Sequence, residues 1–284
     1  MPPIRSALIA TDFSLEAGSA TNRAASIARE TGLQGALVHV LPATLPIDIH
    51  LSASMQAQQA LTLVSDRLMQ EGLQFAPRLL DGDVSAKLAQ AASEYDMVIA
   101  GARGGELLMD LELGRTTVRL VRQSDRPVLV VKRPANEPYR RVLVAVDFSE
   151  PSRRAAECGA QIAPKAHFDF VHAFQVEFES TLRLADIEQA RIESYRDEAH
   201  RQATLLMRTF SAGVALPREQ VFPILTRGHP VNVILEHAKK EDAQLIVIGK
   251  HAAGVVEKIL VGSVALQVLG MAECDVLVVP EAAA

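Results

Sequence analysis

The chain alternates short, unbroken apolar runs with longer stretches in which apolar residues recur at helical spacing. In its first half the runs are 6–11, 35–40, 74–80, 96–101 and 127–132, rich in Val, Ile, Leu and Ala. They do not alternate apolar with polar residues, which is how strands read when helices cover both faces of a sheet. Helical patterns fill 15–31, 53–71 and 84–93, and another begins at 115. Strand and helix in turn predict an α/β fold with a doubly wound, mostly parallel sheet.

The pattern then returns. Leu8-Ile-Ala-Thr-Asp-Phe-Ser14 recurs as Leu143-Val-Ala-Val-Asp-Phe-Ser149, and Leu37-Val-His-Val40 as Phe170-Val-His-Ala173. Val98–Gly101 is matched by Ile246–Gly249, Gly114 by Gly262, and Val128–Val131 by Val276–Val279. Segments matching in the same order imply a tandem duplication of one unit. Pro134 and Pro138 bracket a linker without apolar pattern, so the units are predicted as 1–134 and 139–284. Each is expected to be a five-stranded, mostly parallel sheet flanked by helices. The second copy carries extra residues between its second strand and the next. There Glu177–Arg208, rich in Arg and Glu, reads as a solvated amphipathic helix and a candidate surface for a protein partner.

Composition narrows the function. The 284 residues are 49% hydrophobic and carry a formal net charge of −5, with Lys and Arg scattered rather than clustered. No basic stripe is present, which argues against a nucleic-acid partner. No apolar run is long enough to span a bilayer, so no membrane partner is expected. Cys158 and Cys274 have neither CxxC nor metal-ligand spacing, and the Met1-Pro-Pro start shows no signal-peptide pattern. A cytoplasmic protein is expected.

Ligands of an open parallel sheet bind beyond the carboxyl ends of its strands. Asp12 and Asp147 close the first strand of each copy, either as turn or helix-capping residues or as ligand contacts. After the fourth strand stand Gly101-Ala-Arg-Gly104, nine residues, then Gly114-Arg115-Thr116; the second copy reads Gly249-Lys-His-Ala252, nine residues, then Gly262-Ser263-Val264. Glycines admit backbone N–H groups close to a phosphate, and a helix start favours an anion. These segments resemble the ATP-binding universal stress proteins, whose motif is Gly-x2-Gly-x9-Gly-Ser/Thr with an Asp ending the first strand. The resemblance covers nearly the whole chain.

The resemblance implies a site for ATP or AMP, with magnesium travelling on the phosphates. Asp12 and Asp147 would flank the adenosine, and Val38 and Val171 would lie near the base. Gly101, Arg103, Gly104, Gly114, Arg115 and Thr116, or in the second copy Gly249, His251, Gly262, Ser263 and Val264, would surround the phosphates. It also implies that the two last strands pair within the chain as an intramolecular pseudo-dimer, with further homodimerisation left open. Both copies depart from the motif. Arg115 stands where Ser or Thr belongs, with Thr116 about 100° further round the helix, and Ala252 replaces the second loop glycine. Arg115 either pairs with a phosphate or fills its space. Lys250 and His251 are phosphate contacts or a solvated loop. His39 and His172 read as satisfied core or strand-end histidines, and Gly82-Asp83 and Gly228-His229-Pro230 as turns. No Walker A loop, Gly-x-Gly-x-x-Gly or nucleophile elbow is present. The expectation is a nucleotide-binding stress regulator with at most slow ATP hydrolysis, against a tandem scaffold whose clefts have lost their ligand.

Overall fold

The computed structural model describes residues 2–103, 113–134, 137–176, 189–250 and 262–281. The first half runs β1 (Ser6–Ala10), α1 (Leu15–Thr31), β2 (Gln34–Pro42), α2 (Ile47–Gln70), β3 (Phe75–Gly82), α3 (Val84–Ala92), β4 (Met97–Gly101), α4 (Arg115–Gln123) and β5 (Val128–Val131). The second runs β6 (Arg141–Ala145), α5 (Glu150–Ile162), β7 (His167–Phe174), α6 (Gln189–Gly213), β8 (Val221–Arg227), α7 (Pro230–Lys240), β9 (Leu245–Lys250), α8 (Ser263–Met271) and β10 (Asp275–Pro280). Helix α2 begins several residues before the 53 expected, because Pro46 supplies the extended entry that its apolar pattern does not mark. Most of the second copy's extra length falls between β7 and α6. Of the stretch Glu177–Arg208, residues 177–188 lie outside the described residues.

The described strands form one ten-stranded sheet in the order β3-β2-β1-β4-β5-β10-β9-β6-β7-β8. Every neighbouring pair is parallel except β5 and β10, which run antiparallel with Leu129 opposite Leu277. The two halves therefore share one sheet around a pseudo-twofold axis, and two edges that would each be open are consumed in the pairing.

Strand side chains alternate between two apolar layers that both cross this junction. Ala7, Ile9, Met97, Ile99, Val142, Val144, Leu245 and Val247 pack on one face. Leu8, Val98, Leu143, Ile246, Val130 and Val278 pack on the other. Both faces are buried along the inner strands, as their unbroken apolar runs require, whereas the edge strands β3 and β8 are partly exposed and carry Arg78, Asp81 and Arg227.

Polar contacts fasten the junction as well. The Asp275 carboxylate, 1% exposed, accepts from Arg23 Nε (3.0 Å), the Tyr139 hydroxyl (2.7 Å) and the backbone N–H groups of Lys132 (2.8 Å) and Arg133 (3.2 Å). The Arg23 guanidinium lies 3.9 Å from the Tyr139 ring centroid and donates to Glu137 O at 2.7 Å. Two lysines cross between the halves. Lys132 Nζ, just past β5, donates to Ala272 O (2.5 Å) and Gly270 O (3.4 Å) at the end of α8. Lys250 Nζ, ending β9, donates to Arg122 O (2.6 Å) and Val121 O (3.2 Å) at the end of α4. Each satisfies carbonyls that a helix end leaves without intrahelical partners.

Candidate functional site

A cleft of about 300 Å³ opens at the carboxyl ends of β1, β2 and β4. Asp12 follows β1, Val38 lies in β2, and Gly101 ends β4. Gly114, Arg115 and Thr116 approach from α4, and Arg103 stands at the rim; all seven line the cleft. Gly104 lies outside the described residues. Thr116 was expected to turn away from Arg115, yet both line the cleft, because α4 presents its end rather than one flank to it. Sequence reasoning missed Val40, Pro42, Val84, Leu88 and Leu113, which complete an apolar floor and wall. The run Val40-Leu41-Pro42, continuing past the expected end of β2, was the available signal.

The turn after β1 is built the same way in both halves. Ser14 caps α1 by accepting from Ala17 N, and Asp12 Oδ1 accepts from Ser14 N at 3.0 Å. Ser149 caps α5, and Asp147 Oδ1 accepts from Ser149 N at 3.0 Å and from its hydroxyl. The serines are the caps and the aspartates hold the turns. Between them Phe13 (φ 64°) and Phe148 (φ 65°) adopt the left-handed region, an outlier for a bulky side chain. Each ring packs on a histidine, Phe13 on His39 with centroids 4.6 Å apart and Phe148 on His172 at 4.2 Å. His39 Nδ1 bonds Thr11 O and His172 Nδ1 bonds Val146 O, both at 2.7 Å. The histidines are satisfied strand residues, and they pin the strained turn from behind. His39 also lines the cleft. Burial pushes the His172 imidazole below its ordinary value despite that hydrogen bond.

The glycines ending β4 and β9 have a packing cause. A Cβ on Gly101 would stand 2.9 Å from the Glu16 carbonyl carbon, and one on Gly249 would stand 2.7 Å from that of Pro151. The first turns of α1 and α5 occupy the space these residues leave, so the need for glycine comes from helix–strand approach. The helix starts differ from this. Gly114 and Gly262 precede α4 and α8 and provide no side-chain cap, so that among the described residues the first-turn N–H groups have no side-chain acceptor, and a Cβ on Gly262 would meet nothing within 4 Å. Thr117, one turn in, gives its hydroxyl to Gly101 O at 2.9 Å.

The second half reproduces the frame with different fittings. Val171 is buried in the core, Ser263 is exposed and Val264 half-buried. His251 and Ala252 lie outside the described residues. Ile248 stands where Ala100 floors the first cleft. Lys250 is neither a phosphate contact nor part of a solvated loop, because its ammonium is buried against the end of α4. Desolvation there pushes its pKa down, opposed by Asp125. Gly82 and Gly228 are turn residues with positive φ, and Asp83 caps α3 through Ala86 N.

Fold and cleft together define a tandem, doubly wound α/β protein with a site of small-molecule size at the carboxyl end of its sheet. A model of the universal stress protein family matches residues 3–132 and again 138–280, and the chain belongs to that family. A universal stress protein of Mycolicibacterium smegmatis is 28% identical over 291 residues, covering 96% of each chain. One from Mycobacterium tuberculosis is 29% identical over 209 residues, or 72% of this chain; the match spans 65% of that relative's length. The crystal structure of a universal stress protein from Archaeoglobus fulgidus superposes with a TM-score of 0.73 at 21% identity, covering 97% of this chain and 98% of that one. That likeness concerns the fold. Among the described residues no helix is long and apolar enough to cross a membrane.

Proposed function

We propose that the protein is a stress-response regulator that binds an adenine nucleotide, ATP or AMP, in the cleft of its first unit. One observation carries the reading: Asp12, Val38, Gly101 and the uncapped start of α4 converge on a single cavity of about 300 Å³. That volume falls at the lower end of small-molecule sites, about 300–1,000 Å³. The residues present fit the ligand. Val38, Val40 and Leu88 offer an apolar surface to a flat base, and Asp12 offers acceptors to ribose hydroxyls. The α4 N–H groups and helix dipole favour phosphate. Among the described residues no three His, Cys, Asp or Glu side chains gather to hold a metal, so any magnesium in this reading comes with the nucleotide rather than from a protein site.

The chain divides in this reading into a unit at 1–134 and one at 139–284. The positions Asp147, Val171, Gly249, His251, Gly262, Ser263 and Val264 form the corresponding site of the second. Two features favour the first unit as the binder and the second as scaffold: Ile248 adds bulk where Ala100 leaves room, and Lys250 is committed to α4. The two cysteines, unpaired and buried, accord with a cytoplasmic setting. Calorimetric titration of ATP, both with magnesium and in EDTA, into nucleotide-stripped protein tests the reading, with a single site per chain expected in at least one condition. No heat and no thermal stabilisation at millimolar ATP would refute it and leave the tandem-scaffold reading, with protein partners to be sought.

A further inference from the structure

We propose that Arg103 and Arg115 form a guanidinium clamp that takes the place of the magnesium ion, so that the first cleft selects the metal-free form of its nucleotide. The inference rests on the nucleotide reading and specifies the ionic form bound.

Some arginines of this acidic chain find carboxylates, Arg78 with Glu94, Arg153 with Glu150 and Glu157, and Arg23 with Asp275; others, such as Arg119 and Arg122 on α4, have none among the described residues. Arg103 and Arg115 line the cleft, are exposed, and have no carboxylate partner among the described residues. Arg115 is also at the disfavoured end of its helix. The positive pole of the dipole attracts acids and repels cations; α1, α2 and α5 carry Glu16, Asp48 and Glu150 in their first turns, whereas α4, like α3, α6, α7 and α8, carries no acid there, and it begins with Arg115. The corresponding residue of α8 is the neutral Ser263. A cation against the N–H groups of a helix start becomes favourable once an anion lies between them.

Among the described residues the ligands a magnesium ion would require are meanwhile scarce. Hard divalent cations take oxygen ligands. Asp12 is the one carboxylate among the described lining residues, and its Oδ1 accepts from Ser14 N; the Thr117 hydroxyl donates to Gly101 O. Two planar forks beside an uncapped helix start suit phosphate oxygens directly, each able to form paired charge-assisted hydrogen bonds.

The test is calorimetry of ATP and of adenosine, each in magnesium and in EDTA, on the full chain and on Arg115→Ser and Arg103→Ala. Thermal unfolding of each variant checks that it folds. The clamp predicts wild-type ATP affinity in EDTA equal to or tighter than in magnesium. Arg115→Ser should weaken ATP in EDTA by on the order of tenfold or more, the value of a lost charge-assisted contact. It should recover in part with magnesium and leave adenosine affinity unchanged. ATP binding that requires magnesium, with Arg115→Ser indistinguishable from wild type in EDTA, overturns the clamp and leaves the nucleotide site standing. No binding of ATP or adenosine under any condition overturns the nucleotide reading and the clamp together.

Discussion

Replacing Asp275 with alanine removes the acceptor around which the two halves are tied. Its carboxylate receives Arg23, the Tyr139 hydroxyl and two backbone N–H groups in a site that is 1% exposed. Burial and the neighbouring carboxylate push the Tyr139 hydroxyl well above its ordinary pKa, so it stays a donor. Without Asp275, Arg23 keeps only Glu137 O and the face of Tyr139, and the hydroxyl and both N–H groups lose a partner together. Breaking a buried ion pair from one side costs about 3–5 kcal/mol. A domain's total stability is typically about 5–15 kcal/mol, so the loss is large. Urea unfolding followed by circular dichroism reads it as a shift of midpoint. The double variant Arg23→Met/Asp275→Leu, which removes both charges and restores apolar volume, should regain most of the loss. The reasoning fails if Asp275→Ala costs less than about 1 kcal/mol, or if the double variant is no more stable than Asp275→Ala, because the stranded charge would then not be the cause.

Gly101→Ala and Gly249→Ala should each lower stability by about 1–3 kcal/mol as α1 or α5 is pushed off its strand, whereas Gly262→Ala, facing open space, should stay within about 0.5 kcal/mol; denaturant midpoints of the three decide it. Burial alone would raise the Asp96 carboxyl, but bonds from Arg5 N and from the Ser6 N–H and hydroxyl hold it below the usual range. It therefore contributes stability above its unfolded value, about 3.9, and loses it as pH falls through the folded one; stability measured against pH in Asp96→Asn should show a shallower acid limb. His172, held low by burial, is neutral in the fold, so a further loss should begin as pH drops below about 6.5, where the unfolded chain takes up the proton first. His172→Gln should remove that step. Both thiols should resist alkylation in native protein at neutral pH and react on unfolding, since burial raises Cys158 strongly and pushes Cys274 up to about 11.

What the chain reveals about itself depends on the range over which each feature acts. The alternation of apolar runs and helical spacing is local, and the duplication let each weak signal be read twice. The α/β class and most element bounds follow that reading, and the family resemblance implied the β5–β10 pairing; the strand order is a finding of the structure. Asp12, Val38, Gly101 and Gly114 were singled out because the family pattern places them, and the structure gathers them in one cleft together with Thr116, which the motif does not place. The reason for a residue was harder to see. Gly101 and Gly249 look like phosphate glycines until the first turns of α1 and α5 are found in the space they leave. Lys250 looks like a loop cation, because nothing near it in the chain announces Val121 and Arg122 on another unit. The left-handed Phe13 and Phe148 are invisible as well: the Asx turn beside each is local, but the histidine packed behind each ring is tertiary.

The crossed lysines mean that neither unit is finished by its own residues. Helices α4, whose start lines the cleft, and α8, its counterpart, each have their far ends tied off by a side chain rooted in the opposite repeat. Cutting at the linker would return two chains, each with a loose helix end and a stranded cation. The duplicated ancestor has thus become one indivisible object. Its halves are free to diverge in what they bind, because each is obliged to keep the other in shape.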